Sequence, residues 1–97
     1  MANRVADHPG KIIKTKWLDK VGLSIPELAG KMKIPKGSLY RTINGVHDVT
    51  PEMAVRLSKV LGEDPKVFAY LQIQYDLRKA EAKLKKLKIK SIKPRFG

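Results

Sequence analysis

"LSIPELAGKMKIPKGSLYRTINGV", residues 23–46, is the stretch that decides the fold. Ser24-Ile25-Pro26-Glu27 reads as a capping box: the serine hydroxyl accepts from the third helical amide, and the glutamate reaches back to the amide of the cap. Leu23 before the cap and Leu28 at the fourth helical position form the matching hydrophobic staple. A short helix is therefore expected from about Ile25 to Met32. Lys33-Ile34-Pro35 makes a turn, and the next segment, "IPKGSLYRTING" (residues 34–45), has little to bury. Leu39 and Ile43 stand four apart and can share one helical side; Asn44-Gly45 closes the segment.

With Leu39 and Ile43 set against a core and about 100° of rotation per residue, Gly37, Arg41 and Asn44 fall on the opposite side. Ser38 and Tyr40 flank them, and the long stem of Lys36 reaches the same surface from the helix start. Guanidinium, ammonium, carboxamide and hydroxyl groups are the donors that read guanine edges and grip phosphate. Alone, this segment reads better as an ordinary amphipathic helix with a solvated face. Its setting argues otherwise. A short capped helix with a small residue, Ala29, a tight turn plugged by Ile34, and a polar second helix make a helix-turn-helix, whose second helix enters the major groove.

Working outward, the punctuation yields three more helices. Asp7-His8-Pro9 opens the first, since proline is tolerated at a first helical position; Ile13, Trp17, Leu18 and Val21 follow at helical spacing, and Gly22 ends it. Thr50-Pro51 starts the fourth, with Met53, Leu57, Val60 and Leu61 as its apolar positions and Gly62 as its stop. Asp64-Pro65 opens the fifth, which is expected to run to about Leu87. No segment alternates with period two as a strand would. The fold class is all-α: a five-helix domain over residues 8–87 with an extended C-terminal helix, preceded by an N-terminal arm (1–7). A basic, mobile tail (88–97) follows. Trp17, Phe68 and Tyr75 are read as packing residues.

A chain of 97 residues buries only roughly 60–65% of its unfolded surface, so one modest core must serve. There are 21 basic and 9 acidic residues, net +12. Residues 77–97 contain nine of the bases and one acid, Glu81. A polyanion is the natural partner for such a surplus, because each neutralised phosphate releases a condensed counterion; a solvated lysine-rich tail is the plain alternative. The apolar runs are far short of the roughly 20 residues needed to cross a bilayer, and with no apolar stretch after the first basic residue a secretory signal is not expected. The absence of cysteine excludes disulfides and thiolate metal sites and suits a reducing cytoplasm. No metal, cofactor or catalytic activity is expected, since no nucleophile elbow, metal cluster or paired carboxylates are present.

The 23–46 segment resembles the helix-turn-helix of the λ-repressor-like (Xre-type) family. Together with "HPGKII" before it and "TPEMAVRLSKVLGEDPKVFAYLQIQYDLRKA" after it, the layout resembles HigA-type antitoxins over about residues 8–80. That resemblance implies homodimerisation, binding to a palindromic operator in double-stranded DNA, repression of a toxin–antitoxin operon, and capture of an RNA-cleaving toxin. On its motif, Lys36 and Arg41 match base-reading positions, and Gly37 matches another, offering closeness and its backbone. Ser24, Ser38, Tyr40, Thr42 and Asn44 are the candidates for phosphate contacts. Three residues depart from the family pattern. Ile25 replaces a common glutamine, Lys33 a common turn glycine, and Thr42 a common branched apolar residue. A lysine held in the left-handed region is strained by about 1 kcal/mol.

Tyr70, Ile73, Leu77, Ala80, Leu84 and Leu87 are spaced 3, 4, 3, 4, 3 along the fifth helix, the spacing of a coiled-coil seam. They are the candidate dimer interface; alternatively the first half of the seam packs on the domain. Two other functions share most of these features. One is a free-standing Xre-type repressor with no toxin, favoured by the basic tail because toxins of this kind tend to be basic. The other, less supported, is a basic RNA-binding protein, against which stands the lack of an aromatic RNA-stacking motif.

Overall fold

In this computed structural model, which describes residues 7–92, four of five helices begin where a side chain takes over a free amide. α1 is continuous through Pro9–Ile13, Lys14–Leu18 and Asp19–Val21. Next come α2, Ile25–Met32; α3, Lys36–Ile43; α4, Pro51–Leu61; and α5, Pro65–Lys83. His8 Nδ1 accepts from the Gly10 amide at 2.9 Å, Thr50 Oγ from Met53 at 3.1 Å, and Asp64 Oδ1 from Lys66 at 2.8 Å. The capping box of α2 is complete: Ser24 Oγ accepts from the Glu27 amide, and Glu27 accepts from the Ser24 amide at 2.8 Å. Those bonds to Ser24, backbone first, hold the Glu27 carboxyl below its usual range. No strand occurs among the described residues, as the patterning implied. The expected N-terminal arm up to Ala6, and tail residues 93–97, lie outside the described residues.

The middle of α1 differs from the simple helix that its spacing suggested. Lys14–Leu18 forms a π-helical turn in which the Asp19 amide donates to the Lys14 carbonyl, five residues back. Thr15 Oγ1 turns back onto the carbonyls of Lys11 and Ile12, a side-chain intrusion of the kind that bends helices. The wider turn puts residues five apart on one side. Ile13 and Leu18 are both buried, while Lys14 and Asp19 pair at 2.9 Å. The extra residue also rotates Val21 out of the core, leaving it 61% exposed. Val21 was expected to pack and does not.

The core gathers Ile13, Leu18, Leu28, Ala29, Met32, Leu39, Ile43, Val49, Ala54, Leu57 and Phe68, and Trp17 packs against it. The Trp17 and Phe68 rings lie 5.0 Å apart, and the indole N–H donates to Glu63 at 3.1 Å. α2 packs on α3 and α4, α4 on α5, and α1 bridges α3 and α5. Two polar residues tie loops to this frame. Gln72, buried on α5, accepts from the Val49 amide at 2.7 Å and donates to Asp76 at 3.0 Å. Arg56 on α4 donates to the Met32 carbonyl at 2.7 Å and pairs with Glu52.

Helix α2 ends in a Schellman motif, with the Ile34 amide bonded to Ala29 and the Lys33 amide to Gly30. Lys33 sits at φ 62°, ψ 45°, the left-handed region. Lys33→Gly should therefore raise stability by up to about 1 kcal/mol, the part left after glycine's greater backbone entropy, moving the unfolding midpoint up by at most roughly 4–8 °C. Thermal unfolding followed by circular dichroism checks this; an unchanged midpoint would show that the lysine is unstrained.

α5 corrects two further expectations. It closes at Lys83, with Leu84 as its C-cap, so Leu84 and Leu87 lie in a terminal turn and not on the helix. Lys83, Lys86 and Lys90 recur at three- and four-residue spacing, where like charges repel, and nothing among the described residues packs against them to offset it: residues 76–92 are all exposed. The first half of the seam does not pack on the domain either. Phe68, Leu71, Gln72 and Tyr75 take that side, and Tyr70, Ile73 and Leu77 are each more than half exposed.

Candidate nucleic-acid interface

α3 is held from beneath by Leu39 and Ile43, fully and nearly fully buried. Its outer side carries Lys36, Tyr40, Arg41 and Asn44, all exposed, with Gly37 and Ser38 half-buried. The Arg41 guanidinium lies back along the helix over Gly37: a Cβ built there would stand 3.6 Å from Arg41 Nη1. α3 has no side-chain cap and no acid in its first turn, so its positive end faces solvent. From Leu28 to His47 the chain contains Lys31, Lys33, Lys36 and Arg41 and no acid. The C-terminal end is closed by Val46 and His47, whose amides both donate to the Arg41 carbonyl.

Of the phosphate candidates, Ser24 and Tyr40 are brought together. They line one depression of about 610 Å³ with Lys14, Asp19, Gly22 and Leu23, joining the start of α2 to the middle of α3 in one surface. Ser38 faces a separate, smaller hollow beside Thr50 and Arg56. Asn44 is exposed at the C-cap of α3. Thr42 is not on this surface. It is 2% exposed, its hydroxyl donates to the Ser38 carbonyl at 3.3 Å, and it cannot reach phosphate from there. The signal was in the spacing: 39, 42 and 43 lie on one side of a helix, and the threonine methyl packs where a branched apolar residue would. Ile25, in the place of a common glutamine, packs partly against the core.

Sequence reasoning missed His8. Its ring caps α1, stands edge-on to Tyr75 at 5.0 Å, and lies against Gly45 in the loop after α3. Nε2 is buried with no partner among the described residues. Burial lowers the imidazole pKa below 6.5; Asp48, Asp76 and the nearby His47 backbone oppose that shift, and Lys79 adds to it. Protonation would also destroy the Nδ1 acceptor that caps the helix. The folded state therefore favours neutral His8. Its contribution is complete above about pH 6.5 and is lost as pH falls through the lowered value. As pH falls below about 6.5, wild type should lose more stability than His8→Asn, which keeps a capping oxygen. Parallel losses in urea titrations would remove His8 from the account.

A short capped helix, a left-handed turn and an outward, acid-free second helix define a DNA-binding helix-turn-helix domain. The HTH_3 helix-turn-helix family model matches residues 16–68, and the chain belongs to that family. It is 38% identical over 80 residues to the HTH-type transcriptional regulator YddM of Escherichia coli K12, covering 80% of this chain and 84% of the relative. Among solved structures, an addiction module antidote protein of the HigA family from Coxiella burnetii superposes with TM-score 0.76. That match has 31% identity and covers 82% of this chain and 87% of the other. PA4674 of Pseudomonas aeruginosa, solved in complex with its operator DNA, gives TM-score 0.80 at 25% identity, over 86% and 90% of the two chains. Among the described residues no helix is long and apolar enough to cross a membrane, and no side-chain group is arranged to hold a metal.

Proposed function

We propose that this protein is a HigA-type antitoxin: a sequence-specific DNA-binding repressor of its own toxin–antitoxin operon that also neutralises an RNA-cleaving toxin. The observation that carries the DNA-binding half is the outer side of α3. Lys36 and Arg41 are presented together beside Gly37 on a helix anchored only by its opposite side. Arg41 and Lys36 read base edges, Gly37 lets the backbone approach, and Ser24, Ser38, Tyr40 and Asn44 hold phosphate. Two subunits related through α5 set their α3 helices about 34 Å apart in successive major grooves, which is why the operator is palindromic. Likeness to an antidote protein and to an operator-bound protein supports the same reading.

Arg41→Ala should cost about 1–3 kcal/mol at its own base pair and relax the preference there. The operator is first selected from a random duplex pool, and both chains are then titrated against single-base variants of it. An equal loss on every sequence would make Arg41 a phosphate clamp and overturn its reading role.

The basic segment from Arg78 to Lys90 favours a second reading, a free-standing repressor, because a basic ribonuclease would be repelled by it. The two separate on whether the chain restores growth to cells expressing the ribonuclease encoded beside it.

A further inference from the structure

An apolar stripe runs along the solvent side of α5. Tyr70, Ile73, Leu77 and, past the helix end, Leu84 and Leu87 are each between 43% and 59% exposed. At its N-terminal end the stripe widens into an open groove of about 500 Å³ lined by Asp64, Lys66, Val67, Ala69, Tyr70 and Ile73. Its C-terminal end is a non-helical turn, closed by the Leu87 amide on the Leu84 carbonyl at 3.0 Å. An apolar groove at one end and an apolar turn at the other are complementary shapes on the same chain.

We propose that the α5 helices of two subunits pack antiparallel, so that the Leu84–Leu87 turn of each fills the Asp64–Ile73 groove of the other. This rests on the dimer of the proposed function and adds its orientation and an occupant for the groove. On the helix, the antiparallel register that places Leu77 against Ala80 of the partner subunit also brings Ile73 level with Leu84 of the partner subunit, the C-cap; the turn that follows carries Leu87 of the partner subunit towards Tyr70. Charge decides between the two orientations. Residues 63–76 contain Glu63, Asp64 and Asp76 against one base, Lys66, whereas residues 78–90 contain seven bases against Glu81. Parallel helices would lay the two basic halves side by side. In the antiparallel register residues 78–90 lie along residues 67–79 of the partner, which contain Asp76 against only Arg78 and Lys79 in place of a second seven-base segment; Asp76 comes near Lys83 of the partner subunit, and the helix dipoles oppose favourably. The turn is also explained: among the described residues Leu84 and Leu87 remain 43% and 59% exposed, and a partner's groove covers them.

Cysteine pairing tests the orientation cleanly, because the chain has no cysteine of its own and the positions are exposed. Ile73→Cys and Leu84→Cys chains are prepared singly and as a mixture, oxidised, and run without reductant; Tyr70→Cys and Leu87→Cys are treated likewise. The antiparallel dimer should give disulfide-linked dimer from each mixture and almost none from any single variant. Residues 73 and 84 lie roughly 16 Å apart along a helix, too far for a disulfide in the wrong register. Self-linking of each single variant would mean a parallel pair and overturn the proposal. Linking of 73 with 84 but not of 70 with 87 would leave the groove unfilled by the turn and overturn that part. Sedimentation of the unmodified chain separates the premises. A dimer that links in no combination sinks this arrangement alone, and a monomer sinks the dimer of the proposed function as well.

Discussion

Gly10→Ala is expected to destabilise the domain by about 3 kcal/mol, the upper part of the usual cost of overpacking. Gly10 is buried at the start of α1, and a Cβ there would stand 2.6 Å from the Ile43 carbonyl oxygen, 2.7 Å from Ile43 Cα, and closer still to the Thr42 carbonyl oxygen. All three are backbone atoms at the end of α3, so no side-chain rotation relieves the collision; one helix must move off the other. Gly30 is the control. It is also helical, but a Cβ there meets nothing within 4 Å, so Gly30→Ala should gain about 0.5–1 kcal/mol from the lost glycine entropy. Urea unfolding of the two variants should therefore move in opposite directions. Equal and small effects would show that α1 and α3 are not in close contact. Because α3 carries the groups proposed to face DNA, Gly10→Ala should also weaken operator binding at temperatures where the domain is still folded.

Leu39→Ala should cost about 2–5 kcal/mol, the range for truncating a fully buried leucine. Leu39 is 0% exposed, and only Ile43 and Thr42 share its work of holding α3 down. With eight residues and no side-chain cap, α3 has little helix stability of its own. The loss should therefore appear first as local opening of this helix. Hydrogen exchange at the Tyr40–Ile43 amides should accelerate more than at the buried centre of α4, around Leu57. Uniform acceleration across the domain would mean that α3 unfolds only with everything else. The comparison with Arg41→Ala is informative in its own right: Arg41 is exposed and should change operator preference without changing stability, and Leu39 should do the reverse.

What the sequence determined by itself is the set of helices and the outward side of α3. The capping box of Ser24 and Glu27, the Thr50-Pro51 and Asp64-Pro65 starts, and the Gly22 and Gly62 stops are chemistry within one turn of chain, so spacing alone records them. Leu39 and Ile43 could orient α3 for the same reason: two anchors on a short helix leave one direction for the polar groups. Tertiary structure alone decided the features whose partners are distant in the chain. Gln72 reaches the Val49 amide across 23 residues, Arg56 the Met32 carbonyl across 24, and Trp17 the carboxylate of Glu63 across 46. Such contacts depend on how helices cross, and a displacement of one ångström makes or breaks them. The π turn that turns Val21 outward and pairs Lys14 with Asp19 is of the same kind, since the registry of α1 is set by what Ile13 and Leu18 must both reach. The end of α5 at Lys83 follows too, because beyond Tyr75 the described residues offer nothing for the helix to pack against, and clustered lysines there oppose it.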